Sequence, residues 1–246
     1  MAMRLIDVHA HVGSWAFPLR SGEIVDVKEH MKLCNIEQSI VSHSSAIMYD
    51  FVEGNYELAK ALESEDRIWG YVVLNPYYLE LSLEQLARYG ENPRFVGVKL
   101  HPEQQAYRLI YRNVLALLEK VAERELPVLV HTFPGQVEDL CVVARQFPTI
   151  KFIMGHMGGD NWVAGLEAVA DIGNIYLEPC CSFPDAGKLE TAVGLVGAKR
   201  VVFGTDSTLL NPAFLLGLLQ DANLTDEARQ RIACTNALDI FEFPHS

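Results

Sequence analysis

Two histidines, His9 and His11, stand two residues apart at the end of the first apolar segment of the chain. In an extended strand, residues i and i+2 point to the same face, so these two imidazoles would lie side by side. Imidazole nitrogen is the commonest protein ligand for zinc and similar metals. The spacing therefore predicts a metal-binding pair, and metal-assisted chemistry, at the mouth of the first strand.

Three later apolar segments also end in a residue that can bind a metal. His131 follows Val128-Leu129-Val130. His156 follows the apolar segment Ile150–Met154, and Asp206 follows the apolar segment Arg200–Gly204. One such residue at a strand end is weak evidence, because a lone histidine is usually a hydrogen-bonded structural residue. The repetition of the pattern along the chain is what predicts a metalloenzyme.

The elements that must position these residues follow a regular alternation. Helical spacing separates the apolar segments, as in Tyr111–Glu123, and each unit is long enough for one strand and one helix. Near-continuous hydrophobic runs are typical of strands buried on both faces of a parallel sheet. Eight short apolar segments, several of them near-continuous runs, are the predicted strands: Arg4–His9, Ser39–Ser42, Arg67–Leu74, Phe95–Leu100, Pro127–His131, Ile150–Met154, Asn174–Glu178 and Arg200–Gly204.

This alternation predicts an α/β fold, a single (β/α)8 TIM barrel over residues 1–246 with a C-terminal helix at Thr225–Cys234. The competing architecture is a doubly wound open sheet. It would normally carry a glycine-rich phosphate loop after the first strand, where this chain has His9-Ala10-His11. In a barrel the active site lies at the carboxyl ends of the strands, which would bring the candidate ligands to one rim.

The motifs resemble the amidohydrolase superfamily, in the branch that also contains decarboxylases of the aminocarboxymuconate-semialdehyde type. The resemblance spans Asp7 to Ala237 and rests on four pieces in order: Asp-x-His-x-His, a histidine ending strand 5, Gly-His-x-Gly after strand 6, and Gly-Thr-Asp after strand 8. It implies that one divalent metal is bound by His9, His11, His131 and Asp206. We expect Zn²⁺, with Fe²⁺ or Mn²⁺ as alternatives.

The same resemblance gives His156 a catalytic role, either holding or deprotonating a metal-bound water or acting as a fifth ligand. Asp206 has a second expected role, because a carboxylate beside such a water can take its proton and pass it on. Asp7 shares the strand parity of His9 and is expected to orient an imidazole.

Four residues are candidates for binding the substrate. Lys99 and His101 share a face at the end of the fourth strand, and Trp15 and Arg20 lie in the loop after the first. In binuclear members of the superfamily a carboxylated lysine at the fourth strand bridges two metals. A mononuclear site needs no bridge, so we expect Lys99 or His101 to contact a substrate carboxylate or carbonyl instead.

These residues fit a metal-dependent hydrolase that attacks a small amide, ester or lactone carbonyl. The alternative is a non-oxidative decarboxylase of an aromatic or muconate-like acid, which the motifs do not separate from a hydrolase. The short chain favours hydrolysis, since such decarboxylases usually carry longer insertions. A third hypothesis, a barrel that keeps its metal only for stability, would require a fully coordinated ion with no open position.

Composition limits the partners. The net charge of −12 disfavours nucleic acid and anionic membranes, so a small-molecule substrate is expected. The five cysteines include no CxxC pair, which predicts reduced thiols. With no apolar leader and no membrane-length run, we expect a cytoplasmic protein. The size also suits a homodimer, a state common among soluble enzymes.

Overall fold

Seven parallel strands form one sheet in the computed structural model, which describes residues 3–16, 18–19, 22–180, 183 and 185–244. Their order in the sheet follows their order in the chain, whereas a doubly wound sheet would reverse direction. The strands are β1 (Ile6–Val12), β2 (Gln38–His43), β3 (Ile68–Val73), β4 (Phe95–Leu100), β5 (Val128–His131), β6 (Phe152–Gly155) and β7 (Ile175–Glu178).

The predicted eighth strand at Arg200–Gly204 is not a strand in the structure. Segment 201–207 instead makes isolated bridges at its two ends, Leu177 with Val201 and Ala10 with Ser207. Its backbone bonds on one side to β7 (Val202 N to Leu177 O, 2.9 Å) and on the other to β1 (Val8 N to Phe203 O, 3.0 Å). The segment therefore links the two edge strands, and the curled sheet is consistent with a TIM barrel.

Helices separate the strands along the chain, as the alternation predicts. They are α1 (Ile24–Cys34), α2 (Ser44–Met48), α3 (Phe51–Leu62), α4 (Leu79–Tyr89), α5 (Arg112–Ala122), α6 (Val137–Gln146), α7 (Trp162–Val169), α8 (Lys188–Val196), α9 (Pro212–Asp221), α10 (Asp226–Gln230) and α11 (Asn236–Ile240). A π-helical turn at Arg231–Thr235 joins the last two. None of the helices in the described part of the chain has the length and apolarity needed to cross a lipid bilayer.

Local sequence explains how the helices pack. In α5 the buried residues Val114, Leu117, Leu118 and Val121 recur at helical spacing and form one apolar stripe. Strands β1 and β4 are buried along their whole length, because side chains of both faces are covered. This double burial places the strand-borne polar residues in a largely water-free interior, where each needs a partner.

Candidate metal centre and active site

His9 and His11 lie inside β1, which runs on to Val12, rather than at its end as predicted. Both are buried, with 0% and 2% of their surface exposed. Nε2 of His11 is 3.0 Å from Oδ1 of Asp206, and Nε2 of His9 is 3.7 Å from the same oxygen. Side chains two residues apart in a strand point to the same face, so both imidazoles lie beside one carboxylate, that of Asp206 in segment 201–207.

Three of the four predicted metal ligands form a group of ligand size. One donor atom from each of His9, His11 and Asp206 lies within 4.8 Å of the other two. The fourth, His131, lies beside this group, and its Nδ1 is 2.9 Å from Nε2 of His156. His131 ends β5 and His156 follows β6, so neighbouring strands bring the two rings together.

Each imidazole has a hydrogen-bond partner on the nitrogen that faces away from this group. Nδ1 of His9 is 2.7 Å from Oε2 of Glu178, and Nδ1 of His11 is 3.0 Å from Oγ of Ser42. Partners on the outer nitrogens fix which ring nitrogen faces the centre. The remaining pairs are His131 Nε2 with Glu103 Oε2 at 2.6 Å and His156 Nδ1 with Cys180 O at 2.8 Å.

The donor set fits a cation on chemical grounds. The carbonyl of Cys180 only accepts hydrogen bonds, so Nδ1 of His156 carries the proton and Nε2 has the lone pair. Oε2 of Glu103 likewise accepts a hydrogen bond from the Nε2–H of His131, which leaves a lone pair on Nδ1 of His131. These two lone pairs face each other at 2.9 Å, an arrangement that needs a proton or a cation beside them. His9, His11, His131, His156 and Asp206 could therefore hold one divalent ion.

Burial sets the charge state of these histidines. It lowers the pKa of His156 to about 3, with the neighbouring His131 as the next cause. Burial also lowers the pKa of His9 well below its ordinary value, and the positive charge of Lys99 adds to the effect. Neutral imidazoles are the form that binds metals, so the interior prepares these rings as ligands.

The buried carboxyl and amino groups respond differently. Burial raises the pKa of Asp206, but the contact with Nε2 of His11 and the positive charge of the nearby Lys99 outweigh it and hold the pKa below its usual value. Burial raises the pKa of Glu178 to about 8, which its hydrogen bonds from Cys180 only partly offset. Lys99, also buried, has its pKa lowered to about 8. Asp206 is thus the carboxylate held ionised at the centre.

Two of these residues adopt an unusual backbone conformation. His156 has φ +65° and Asp206 has φ +56°, in the left-handed region that non-glycine residues seldom occupy. Such conformations cluster at functional sites, where the surrounding structure holds them. Around Asp206 that support comes from Asp7, which accepts from the backbone and the hydroxyl of Thr205 at 3.0 and 2.5 Å.

A cavity of about 370 Å³ opens over the group. Trp15 and Phe133 contribute aromatic walls, and the Trp15 ring meets the His11 ring edge-on at 5.0 Å. The residues that line the cavity are His11, Trp15, His101, Glu103, Gln104, His131, Phe133, His156, Asp206, Leu209 and Leu210. This volume, together with a lining of both polar and apolar side chains, suits a small molecule that has polar and apolar parts.

The predicted substrate-binding residues occupy different places. Trp15 and His101 line the cavity, whereas Lys99 does not occur among its described lining residues. Lys99 is fully buried, and its Nζ lies 2.9 Å from Nε2 of His9. It therefore lies beside one of the candidate metal ligands. Arg20 lies outside the residues that the structure describes.

Several partners were missed from the sequence. Glu178 ends β7, the same kind of position that singled out His131, so a signal was present. Glu103 lies in a loop and gave none. Asp7, expected to orient an imidazole, instead accepts from the backbone N–H of His9 at 3.1 Å and from Thr205. Half-buried His30 of α1 bonds through Nδ1 to Oγ of Ser207 at 2.6 Å.

Comparisons with known proteins point to one family. The sequence profile described as amidohydrolase matches residues 6–243, almost the whole chain. A comparison with curated proteins found no match. Among solved structures, the chain is similar to a dihydroxybenzoic acid decarboxylase from Polaromonas sp. JS666 with bound manganese and the inhibitor 2-nitroresorcinol. The TM-score is 0.80 at 17% identity, and the match covers 99% of this chain and 98% of that one.

Two further structures represent the two reaction classes. A 5-carboxyvanillate decarboxylase from Sphingomonas paucimobilis matches with a TM-score of 0.78 at 12% identity, over 98% of this chain and 99% of that one. A probable 2-pyrone-4,6-dicarboxylic acid hydrolase from Acinetobacter baumannii matches with a TM-score of 0.72 at 14% identity, over 97% and 99%. Each match covers almost the whole of both chains.

Proposed function

The chain belongs to the amidohydrolase family, and from this premise we propose that it is a metal-dependent, non-oxidative decarboxylase of a small aromatic or similarly unsaturated carboxylic acid. One observation carries the proposal. The buried group of His9, His11 and Asp206 lies against a cavity whose walls include the rings of Trp15 and Phe133. A planar ring fits such a space with its carboxylate toward the imidazoles.

The names of the matched structures add support for this reaction class. The dihydroxybenzoic acid decarboxylase and the 5-carboxyvanillate decarboxylase are both named for the removal of a carboxylate from an aromatic acid. Manganese is bound in the first of them. We therefore propose Mn²⁺ beside Zn²⁺ as the ion to test, held by His9, His11, His131 and Asp206 with His156 adjacent. Bound there, it would supply positive charge that holds the carboxylate and draws electrons from the ring.

The residues of the chain supply the proton transfer. The bond between the ring carbon and the carboxylate carbon breaks, CO2 leaves, and the electron pair stays on the ring carbon. That carbon then needs one proton. Asp206, ionised at rest, accepts a proton from the substrate or solvent and delivers it to the carbon. His156, with the lone pair on Nε2, accepts a hydrogen bond from a substituent of the ring.

Exclusion of water from the site favours the decarboxylation. Asp206 is 5% exposed and His156 is 5% exposed, so the reacting groups are largely shielded from bulk solvent. Electrostatic interactions are stronger in such an interior than in water. The neutral imidazoles and the single ionised carboxylate leave a bound divalent cation with net positive charge, which a carboxylate substrate would complement.

Hydrolysis is the second candidate, and the matched pyrone hydrolase favours it. Asp206 and His156 are both proton acceptors, which is also what activation of a water requires. The cavity accepts a lactone as readily as an aromatic acid of similar size. The substrate residues of the sequence analysis, His101 and Trp15, would line the site in either reaction.

Isotope incorporation separates the two reactions. The protein is loaded with Mn²⁺ or Zn²⁺ and incubated with hydroxybenzoic acids and with pyrone or other small lactones. In D2O, decarboxylation places deuterium on the ring carbon and releases CO2. In H2¹⁸O, hydrolysis places ¹⁸O in the new carboxylate. Turnover of lactones with ¹⁸O uptake and no CO2 would replace the proposal with the hydrolase, and turnover of neither class would reject both.

A further inference from the structure

We propose that Glu103 is a positioning residue: its carboxylate holds the proton of His131 on Nε2, so that the lone pair of Nδ1 faces the candidate metal centre. The inference rests on the proposed metal-dependent function and deepens it, since it concerns the predicted ligand that lies outside the His9, His11 and Asp206 group. Glu103 lies in the turn that follows β4, outside every motif of the sequence.

The contact between Glu103 and His131 is short, and it joins the turn after β4 to the end of β5. Oε2 of Glu103 lies 2.6 Å from Nε2 of His131, and the side chains are 53% and 13% exposed. Hydrogen bonds to an ionised group are shorter and stronger than those between neutral groups. An exposed carboxylate at the cavity wall thus reaches the outer nitrogen of a largely buried imidazole.

Stacking alone does not determine which edge of the His131 ring points inward. The ring lies nearly parallel to His101, with centroids 3.9 Å apart and planes at 16°, and to Phe133 at 5.3 Å and 10°. These neighbours set the plane of the ring. A half-turn about Cβ–Cγ would keep that plane and put the carbons Cδ2 and Cε1 where Nδ1 and Nε2 now lie, so a further contact must select the orientation.

Glu103 makes that selection. A carboxylate accepts hydrogen bonds only, so the nitrogen beside it carries the proton. Nδ1 of His131 is then the lone-pair nitrogen, 2.9 Å from Nε2 of His156. Without Glu103, the proton can move to Nδ1 and bond to His156. That tautomer offers no lone pair to a cation at the centre, so metal binding should weaken.

Three variants test the proposal. Glu103→Ala removes the acceptor, whereas Glu103→Gln keeps an oxygen that can accept and removes the charge. Glu119→Gln removes a charge from the exposed face of α5, away from the site, as the matched control. Two properties are measured in each protein: the affinity for Zn²⁺ and Mn²⁺ by titration, and the proton on Nε2 of His131 by ¹⁵N-histidine NMR. The His131 signal is assigned by its loss in His131→Asn.

The expected pattern is specific to positioning. Glu103→Ala should lose the Nε2 proton signal in the metal-free protein and bind metal about 10- to 100-fold more weakly. Glu103→Gln should keep the signal and lose less affinity, and Glu119→Gln should match the wild type in both properties. An unchanged Nε2 signal in Glu103→Ala would overturn the proposal, whether or not affinity falls, because a fall alone reports only the lost charge.

The NMR measurement also separates this proposal from the proposed function. If the wild-type protein takes up no metal while Glu103→Ala still shifts the His131 proton, the metal-dependent function fails and the positioning role stands. If the wild type binds metal tightly and Glu103→Ala binds it equally well, the positioning role fails and the metal centre stands.

Discussion

Oε2 of Glu178 lies 2.7 Å from Nδ1 of His9, although the two residues are 169 positions apart in the chain. Both are fully buried. Glu178 also accepts from the backbone N–H of Cys180 at 2.6 Å and from its thiol at 2.8 Å. The carboxyl group of a β7 residue thus holds an imidazole from β1 with its Nε2 toward the candidate metal centre.

Glu178→Gln should weaken metal binding without unfolding the protein. The amide keeps the shape of the side chain but brings an NH2 group against either Nδ1 of His9 or the N–H of Cys180. If it faces His9, the ring must move its proton to Nε2, the nitrogen that a metal needs. We expect affinity for Zn²⁺ or Mn²⁺ to fall about 10- to 100-fold, measured by titration.

The matched control for this change is Glu167→Gln, the same substitution at an exposed position of α7. It should leave metal affinity unchanged. Wild-type affinity in Glu178→Gln would show that the contact between Glu178 and His9 has no part in metal binding.

Gly204, in segment 201–207, leaves room for the side chain of Glu178. A Cβ on Gly204 would lie 2.6 Å from Cδ and Cγ of Glu178, closer than real Cβ contacts come. Because Glu178 is fully buried, its side chain has nowhere to move. Gly204→Ala should therefore destabilise the protein by about 1–3 kcal/mol through overpacking, measured by urea unfolding, and should displace the carboxylate from His9.

Gly194→Ala is the control for that substitution. Gly194 lies in α8, and no neighbouring atom comes within 4 Å of the place that a Cβ would take, so the added methyl meets open space. Alanine is the better helix former, and the change should stabilise the protein by about 0.5–1 kcal/mol. If Gly204→Ala were as stable as Gly194→Ala, close packing at Glu178 would not constrain this position.

Much of the fold could be predicted from the sequence because the strands are short, apolar and regularly spaced. The predicted fourth strand agrees with β4 (Phe95–Leu100), and the helical spacing of Tyr111–Glu123 agrees with α5 (Arg112–Ala122) to within one residue at each end. The prediction of an eighth strand was wrong, because segment 201–207 pairs with its neighbours only through isolated bridges and contains the left-handed Asp206. Hydrophobicity reports burial of a segment, and it does not report how regularly the backbone pairs.

The candidate site was predictable where a residue type recurs at a strand end. His131, His156 and Asp206 share that pattern, and they meet in space. Glu103 was not predictable, because a carboxylate in a loop is usually solvated and its contact with His131 depends on the shape of that loop. Lys99 shows a second limit: strand parity placed it near the site, but burial beside His9 keeps it from the cavity lining.

Asp206→Asn should preserve the fold and lower turnover. Asparagine tolerates the left-handed backbone that Asp206 adopts at φ +56°, so the substitution adds little strain. It cannot accept and deliver a proton. For a confirmed substrate we expect kcat to fall about 10²- to 10⁴-fold at saturating metal. Circular dichroism checks the fold, and a kcat near that of the wild type would remove Asp206 from the proton transfer.

Metal addition should stabilise the wild-type protein, and this stabilisation should depend on His9 and His11. A ligand that binds only the folded state at 100 times its Kd adds about 2.7 kcal/mol of stability. The double variant His9→Ala, His11→Ala removes two donors of the buried group and should show neither bound metal nor a metal-dependent rise in Tm. Elemental mass spectrometry and thermal unfolding measure the two effects.

The control for the double variant is His43→Ala, which removes a buried histidine at the end of β2 whose Nε2 faces Glu57 at 3.4 Å. It should keep the metal and the rise in Tm, even if its own Tm in the absence of metal is lower. About one ion per wild-type chain is expected. Full metal content in the double variant would place the ion elsewhere, and with it the chemistry assigned to this cavity.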